Sequence, residues 1–307
     1  MTEGRERGWG AVAALAFASA TLSAASALSL IFIPFSLLLV ALPPRRPIRI
    51  VGAAALVGLV FQGGVSDTLT YAELGWAFVL GGWFVLLAAV RPGGRFLGVA
   101  LGALAAAVGT GAIVLALRPG AWRALDWALS RRFHDAASVL ATASARAAGS
   151  ERWAEQVVDA VYRAADLQAL LHPALLALAS LAGLAVAWWG YKRLGGTAGQ
   201  TLAPFSEFRF HDELVWVLIA GILLVVLPVE GAALRAGSNL VLFMAALYAL
   251  RGMAVLLALT GMPGCGAIGL GVLALFVLPM VMLGAAFVGL ADTWIDLRAR
   301  RTAGSGS

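Results

Sequence analysis

Residues 8 to 44 carry no charged side chain. As one helix that stretch is about 55 Å long, against a bilayer hydrocarbon core of about 30 Å. A bilayer cannot take it as one straight span. The run therefore splits into a first span near residues 9–28, a turn, and a shorter span near residues 30–42 that contains Pro34. Uncharged apolar stretches recur along nearly the whole chain. With 61% hydrophobic and 12% charged residues, this implies an all-α, polytopic transmembrane bundle of about nine spans. The runs are continuous rather than alternating, which argues against a β-barrel.

A rival reading makes the N-terminus a cleavable signal peptide, with Arg5 and Arg7 as its basic end and Ala25-Ser26-Ala27 as its small-residue site. The apolar sequence runs on past that site without a polar break, which favours a retained span. Small residues four apart in the first span (Ala14/Ala18, Ala16/Ala20) suit close helix packing, or simply reflect a chain rich in alanine.

Five spans fill residues 1–117 in this reading. Pro43-Pro44-Arg45-Arg46-Pro47 ends the second, and further spans lie at 50–65, 74–90 and 96–117. Gly94, Gly98 and Gly102 fall four apart and predict a groove for a neighbouring helix. Residues 118–166 then mix seven arginines and six acids with Ala, Leu, Val and Trp. That pattern predicts about two amphipathic helices joined at Gly149-Ser150, either a cap on the membrane or a solvated linker. A sixth span at 167–193 completes the N-terminal core. A loop and aromatic collar occupy 194–213, a three-span unit 214–291, and a polar tail 292–307.

The collar reads Phe208-Arg209-Phe210-His211-Asp212-Glu213 and runs straight into an uncharged apolar helix. Rings and charged heads there suit headgroup depth, with Trp216 as an interface anchor. Basic residues otherwise cluster at the ends of apolar runs. Placing Arg45/Arg46/Arg49, Arg91/Arg95 and Lys192/Arg193 in the cytoplasm is self-consistent over six spans. Nine spans then put the basic C-terminal tail outside, against the same rule.

The net charge of +6 follows from these loop residues and does not imply nucleic acid. One cysteine, Cys265, excludes an intrachain disulfide and a cysteine metal site. His134, His172 and His211 lie far apart with no metal-binding spacing; His172, before Pro173, reads as a helix-end residue. Gly264-x-Gly266-x-x-Gly269 matches a dinucleotide pattern in letters only, because no strand precedes it. No Gly-Lys dipeptide occurs, so there is no P-loop. No nucleophile–base arrangement is evident, so no enzyme activity and no cofactor are expected.

Arg251 is the sharpest single signal. It sits inside an apolar run about a dozen residues deep on each side. A charge there needs a partner, a cavity or the bundle interior. The partner candidates are Glu230, Asp292 and the pair Asp212/Glu213. Functionally it reads as an anion or substrate anchor, and structurally as an ion pair or a snorkelling side chain. Asp212 and Glu213 also read as a proton or cation site, or as acids favoured by a helix N-terminus. The functional polar set is thus Arg251, Asp212, Glu213, Arg209, His211, Glu230 and Asp292.

The segments FRFHDELVWVLIAG, LYALRGMAVLLAL and GLADTWIDLRAR resemble the C-terminal region of the YybS-like bacterial membrane proteins. That resemblance implies a multi-pass protein of the bacterial inner membrane and brings no established activity. The small-rich first helix and IPFSLLLVALPPRRPIRIVGAAALVGL are weakly similar to substrate-binding subunits of energy-coupling-factor transporters. That second likeness implies a six-helix core which takes energy from separate ATPase subunits. Two function classes follow: a transporter-like small-molecule-binding subunit, and a membrane scaffold that binds proteins through cap and collar.

Overall fold

The structure, a computed structural model, describes residues 27–61, 68–147, 151–196, 202, 204–228, 230–260 and 278–295. All regular structure among them is helical. The helices are α1 (Ala27–Ala41), α2 (Arg46–Phe61), α3 (Thr68–Val90), α4 (Phe96–Leu117), α5 (Pro119–Ala147), α6 (Glu151–Arg193), α7 (Val215–Val226), α8 (Ala232–Thr260) and α9 (Leu278–Ile295). The contacts among them fall into two compact units, one within residues 16–200 and one within 201–307.

In the first unit α1 is the centre, packed by α2, α3 and α6. Small residues let those three come close. A Cβ at Gly52 of α2 would fall 2.8 Å from Leu39 Cβ, one at Gly81 of α3 3.1 Å from Pro34 Cα, and one at Gly183 of α6 2.8 Å from the Leu30 carbonyl oxygen. Leu30, Ile33, Ala77 and Ala179 fill the space between. Such contacts are dispersion-driven, since lipid already satisfies the hydrophobic effect. Among the described residues, indole hydrogen bonds add polar ties between helices. Trp76 Nε1 donates to Ser180 Oγ at 2.9 Å and Trp83 Nε1 to Thr110 Oγ1 at 3.0 Å.

The glycine set expected to form a groove in α4 does not act as one. Gly94 precedes the helix and a Cβ there would meet only the local Arg91 and Val99, Gly98 faces open space, and of the three Gly102 alone meets another helix, Leu87 Cδ1 at 3.3 Å from where a Cβ would stand. Four-residue spacing marks one face but does not say that another helix lies against it.

The expected amphipathic pair at 118–166 is present in outline, with α5 ending at Ala147 and α6 starting at Glu151. Its second helix does not stop at 166. α6 runs unbroken for 43 residues through Pro173 to Arg193. The composition changes at 166/167, but the sequence on both sides is helix-forming and no Gly stands at the change; Pro173, the one breaker in this stretch, is carried inside the helix. His172 is accordingly mid-helix rather than at a helix end, its ring 5.9 Å from Phe133 of α5. Arg132 of α5 donates to Glu73 of α3 at 3.2 Å. α6 ends in a Schellman turn: Gly196 N donates to the Tyr191 carbonyl and Gly195 N to the Lys192 carbonyl, both at 3.1 Å. Gly195 supplies the left-handed φ of 87° that this cap requires.

Four of the described helices are long and apolar enough to cross a membrane: Thr68–Val90, Phe96–Leu117, Arg152–Arg193 and Ala232–Ala258. That is fewer than the about nine spans expected from run lengths. α1, α2 and α7 have 15, 16 and 12 residues. The expected first span, the glycine pattern at 264–269 and the tail beyond residue 295 lie outside the described residues.

Candidate functional site

In the second unit α8 packs against both α7 and α9. Glycines set both crossings. A Cβ at Gly237 would lie 2.7 Å from Leu224 Cβ and 3.0 Å from the Gly221 carbonyl oxygen. The α8–α9 crossing is tighter still. A Cβ at Gly252 would overlap the Ala285 carbonyl, and one at Gly289 the Tyr248 carbonyl. Here backbone meets backbone, and any larger residue forces the helices apart.

This crossing places a charged pair. Gly252 follows Arg251, and Gly289 is one turn before Asp292 on α9. Arg251 Nε donates to Asp292 Oδ2 at 3.0 Å, and both side chains have 0% exposure. The guanidinium also donates through Nη1 to Asp212 Oδ1 at 2.7 Å. Asp212 opens a 3-10 turn, Asp212–Leu214, just before α7, and its side chain remains 48% exposed. Arg251 is thus shared between a wholly buried carboxylate and one at the surface.

Aromatic rings close the rest. The guanidinium carbon lies 5.4 Å from the centroid of the Phe210 ring, a cation–π contact. Phe210 is buried and meets Tyr248 edge-on at 5.1 Å. A second short turn, Phe205–Glu207, rests on α8. It starts an aromatic chain from Phe205 through Phe208 to Phe210, with centroid spacings of 5.9 and 6.3 Å. Arg251 Nη2 is buried and donates to no described residue.

The site thus brings together Arg251, Asp292 and Asp212 from the expected set. Glu213, Arg209, His211 and Glu230 are exposed and make no contact with Arg251 that the structure records. Glu213 is next to Asp212 in a turn of about three residues per revolution, so the two side chains point about 120° apart. The collar is correspondingly divided: Arg209, His211 and Glu213 face outward, whereas Phe210 and Asp212 turn in to Arg251. Tyr248 and the two crossing glycines were not singled out from sequence. The signal for Tyr248 was present, since it is one turn before Arg251 and therefore on its face.

The cluster holds one cation and two carboxylates, so as ionised groups it carries one negative charge in excess. Such an arrangement can fix helices, bind an anion in exchange for one carboxylate, or take up a compensating proton or cation. It contains no nucleophile paired with a base.

No curated protein and no solved structure matches the chain. A family profile described as "Predicted membrane protein (DUF2232)" matches residues 10–293. The expected kinship with YybS-like proteins therefore holds at the level of the family, while no specific likeness to energy-coupling-factor subunits is shown. The chain is a multi-pass membrane protein and belongs to the DUF2232, YybS-like family.

Proposed function

We propose that this protein is a small-molecule-binding membrane subunit without its own ATPase, seated in a bacterial inner membrane, with Arg251 as the centre of its binding site. The observation that carries this reading is the unequal sharing of Arg251. A permanent structural pair needs one buried counter-ion, and Asp292 supplies it. The second partner, Asp212, comes from a surface turn, and Nη2 is left with hydrogen-bonding capacity. Buried polar groups in native structures are normally satisfied, so an idle guanidinium amine beside an exposed carboxylate fits a site that exchanges partners. Energy for transport would come from separate ATPase subunits. The role is binding rather than catalysis.

The test is purification from native membranes in mild detergent, with mass spectrometry for co-purifying proteins and small molecules. A retained metabolite that is lost in Arg251→Ala, or recovered ATPase subunits, supports the reading. Neither in repeated preparations counts against it.

A second reading, a membrane scaffold, is favoured by the surface of the α5–α6 hairpin. Trp127, Val139, Leu140 and Trp153 are all more than half exposed there. They accompany an open groove lined in part by Ala141, Ala145, Val158 and Tyr162. In the scaffold reading the same purification yields cell-envelope proteins, and Trp127→Ser with Leu140→Ser releases them while Arg251→Ala does not.

A further inference from the structure

The second unit holds a cation whose two counter-ions differ in kind. Asp292 is wholly buried on α9 and fixed by the glycine crossing. Asp212 is half exposed and stands on a single 3-10 turn. It also makes a poorer match than the guanidinium allows. The terminal fork of an arginine offers two parallel N–H donors, Nη1 and Nη2, to a planar anion. Asp212 accepts from Nη1 with one oxygen, and Nη2 finds no described acceptor. An anion that engages both amines gains a bond that Asp212 lacks.

We infer that the Nη1–Nη2 fork of Arg251 is a binding site for one carboxylate or phosphate group, and that the Asp212 side chain occupies it as a displaceable stand-in. This rests on the binding-subunit reading and names its ligand class. Charge favours the exchange. When Asp212 swings out to water, an incoming monoanion restores the same total charge around Arg251. Asp292 keeps the arginine neutralised throughout, so no bare buried cation is exposed at any stage. The Phe210 ring, 5.4 Å from the guanidinium carbon, adds a cation–π contact beside the fork. The aromatic chain from Phe205 to Phe210 lies on the same segment as Asp212, and its start, Phe205–Glu207, is seated on α8.

The experiment uses the full chain in phosphatidylcholine nanodiscs. Inorganic phosphate and acetate are titrated at constant ionic strength against chloride, with the thermal unfolding midpoint as readout. Asp212→Asn removes the competing charge and is expected to bind phosphate about tenfold more tightly than the natural chain, because the binding-competent fraction rises. Arg251→Lys keeps the charge but loses the fork, and is expected to weaken binding about tenfold or more. Arg251→Gln abolishes it, and if that variant fails to fold, Arg251→Lys carries the comparison. Equal phosphate response in the natural chain, Asp212→Asn and Arg251→Lys overturns the site.

Repeating the titration with phosphatidylglycerol in the discs identifies the source of the anion. Competition means that a lipid headgroup is the occupant, and its absence means a soluble ligand. If phosphate and acetate bind to no variant, yet native mass spectrometry finds an uncharged metabolite that leaves with Arg251, the anion assignment falls and the binding-subunit reading stands. If nothing at all depends on Arg251, both fall.

Discussion

Among the described residues, two arginine–carboxylate pairs between α-helices differ in burial. Arg251–Asp292 is inaccessible on both sides, whereas Arg132–Glu73 pairs side chains with 40% and 11% exposure. Desolvation makes the first costly to break. Asp292→Asn leaves a buried guanidinium with only a surface partner, and should cost about 3–5 kcal/mol of stability in detergent unfolding measurements. Asp212→Asn should cost much less, because water reaches its carboxylate. Arg132 and Glu73 should couple by about 1 kcal/mol or less in a double-mutant cycle, which ionic strength would reduce further. The sequence made Arg251 legible because one charge stood in a long apolar run. It made its partners legible only as a list. Glu230 is excluded by distance, since it precedes α8 and lies about 30 Å along that helix from Arg251; what chose Asp212 over Glu213 was the rotation of each residue about its turn, and that depends on packing with other elements.

Among the elements, the α8–α9 crossing is the least tolerant. Gly252→Ala and Gly289→Ala each place a methyl group against a backbone carbonyl. A carbonyl cannot change rotamer to make room, so each should destabilise by about 1–3 kcal/mol or more. The measurement is the detergent unfolding midpoint, with Gly98→Ala as the control that should leave it unchanged, because a Cβ there meets nothing. The contrast shows why glycine spacing was a poor guide. Gly94, Gly98 and Gly102 were conspicuous as a repeat, whereas Gly252 and Gly289 belong to no four-residue repeat and are recognised only when the helices are seen crossed. The boundaries of α4 and the gap between α5 and α6 were readable because Arg-rich or Gly-Ser breaks mark them. The continuity of α6 was not, since a change from amphipathic to apolar composition alters what a helix faces without ending it.

At the scale of the molecule, helical membrane class followed from the recurrence of uncharged apolar stretches and from a composition of 61% hydrophobic and 12% charged residues. The number of crossings was not, because short apolar helices such as α1 and α7 satisfy a hydropathy reading without meeting the length of a full span. The grouping of contacts within residues 16–200 and within 201–307 predicts a local response to damage. Hydrogen–deuterium exchange on Gly252→Ala should show faster exchange in 232–260 and 278–295, with 68–117 still protected. Equal loss everywhere would mean that the chain unfolds as one cooperative block.

α6 adds a mechanical consequence. Its 43 residues make a rod of about 65 Å, more than twice the hydrocarbon thickness. Trp153 stands about 45 Å along that rod from Gly183, where the helix bears against α1. Pro173 lies between the two as a bending point, and for the helix moving as one piece about Gly183 a tilt of about 5° would carry the Trp153 end about 4 Å. Read in the other direction, a grip on the far end exerts leverage on α1. A partner that holds the hairpin need not reach the core to turn it.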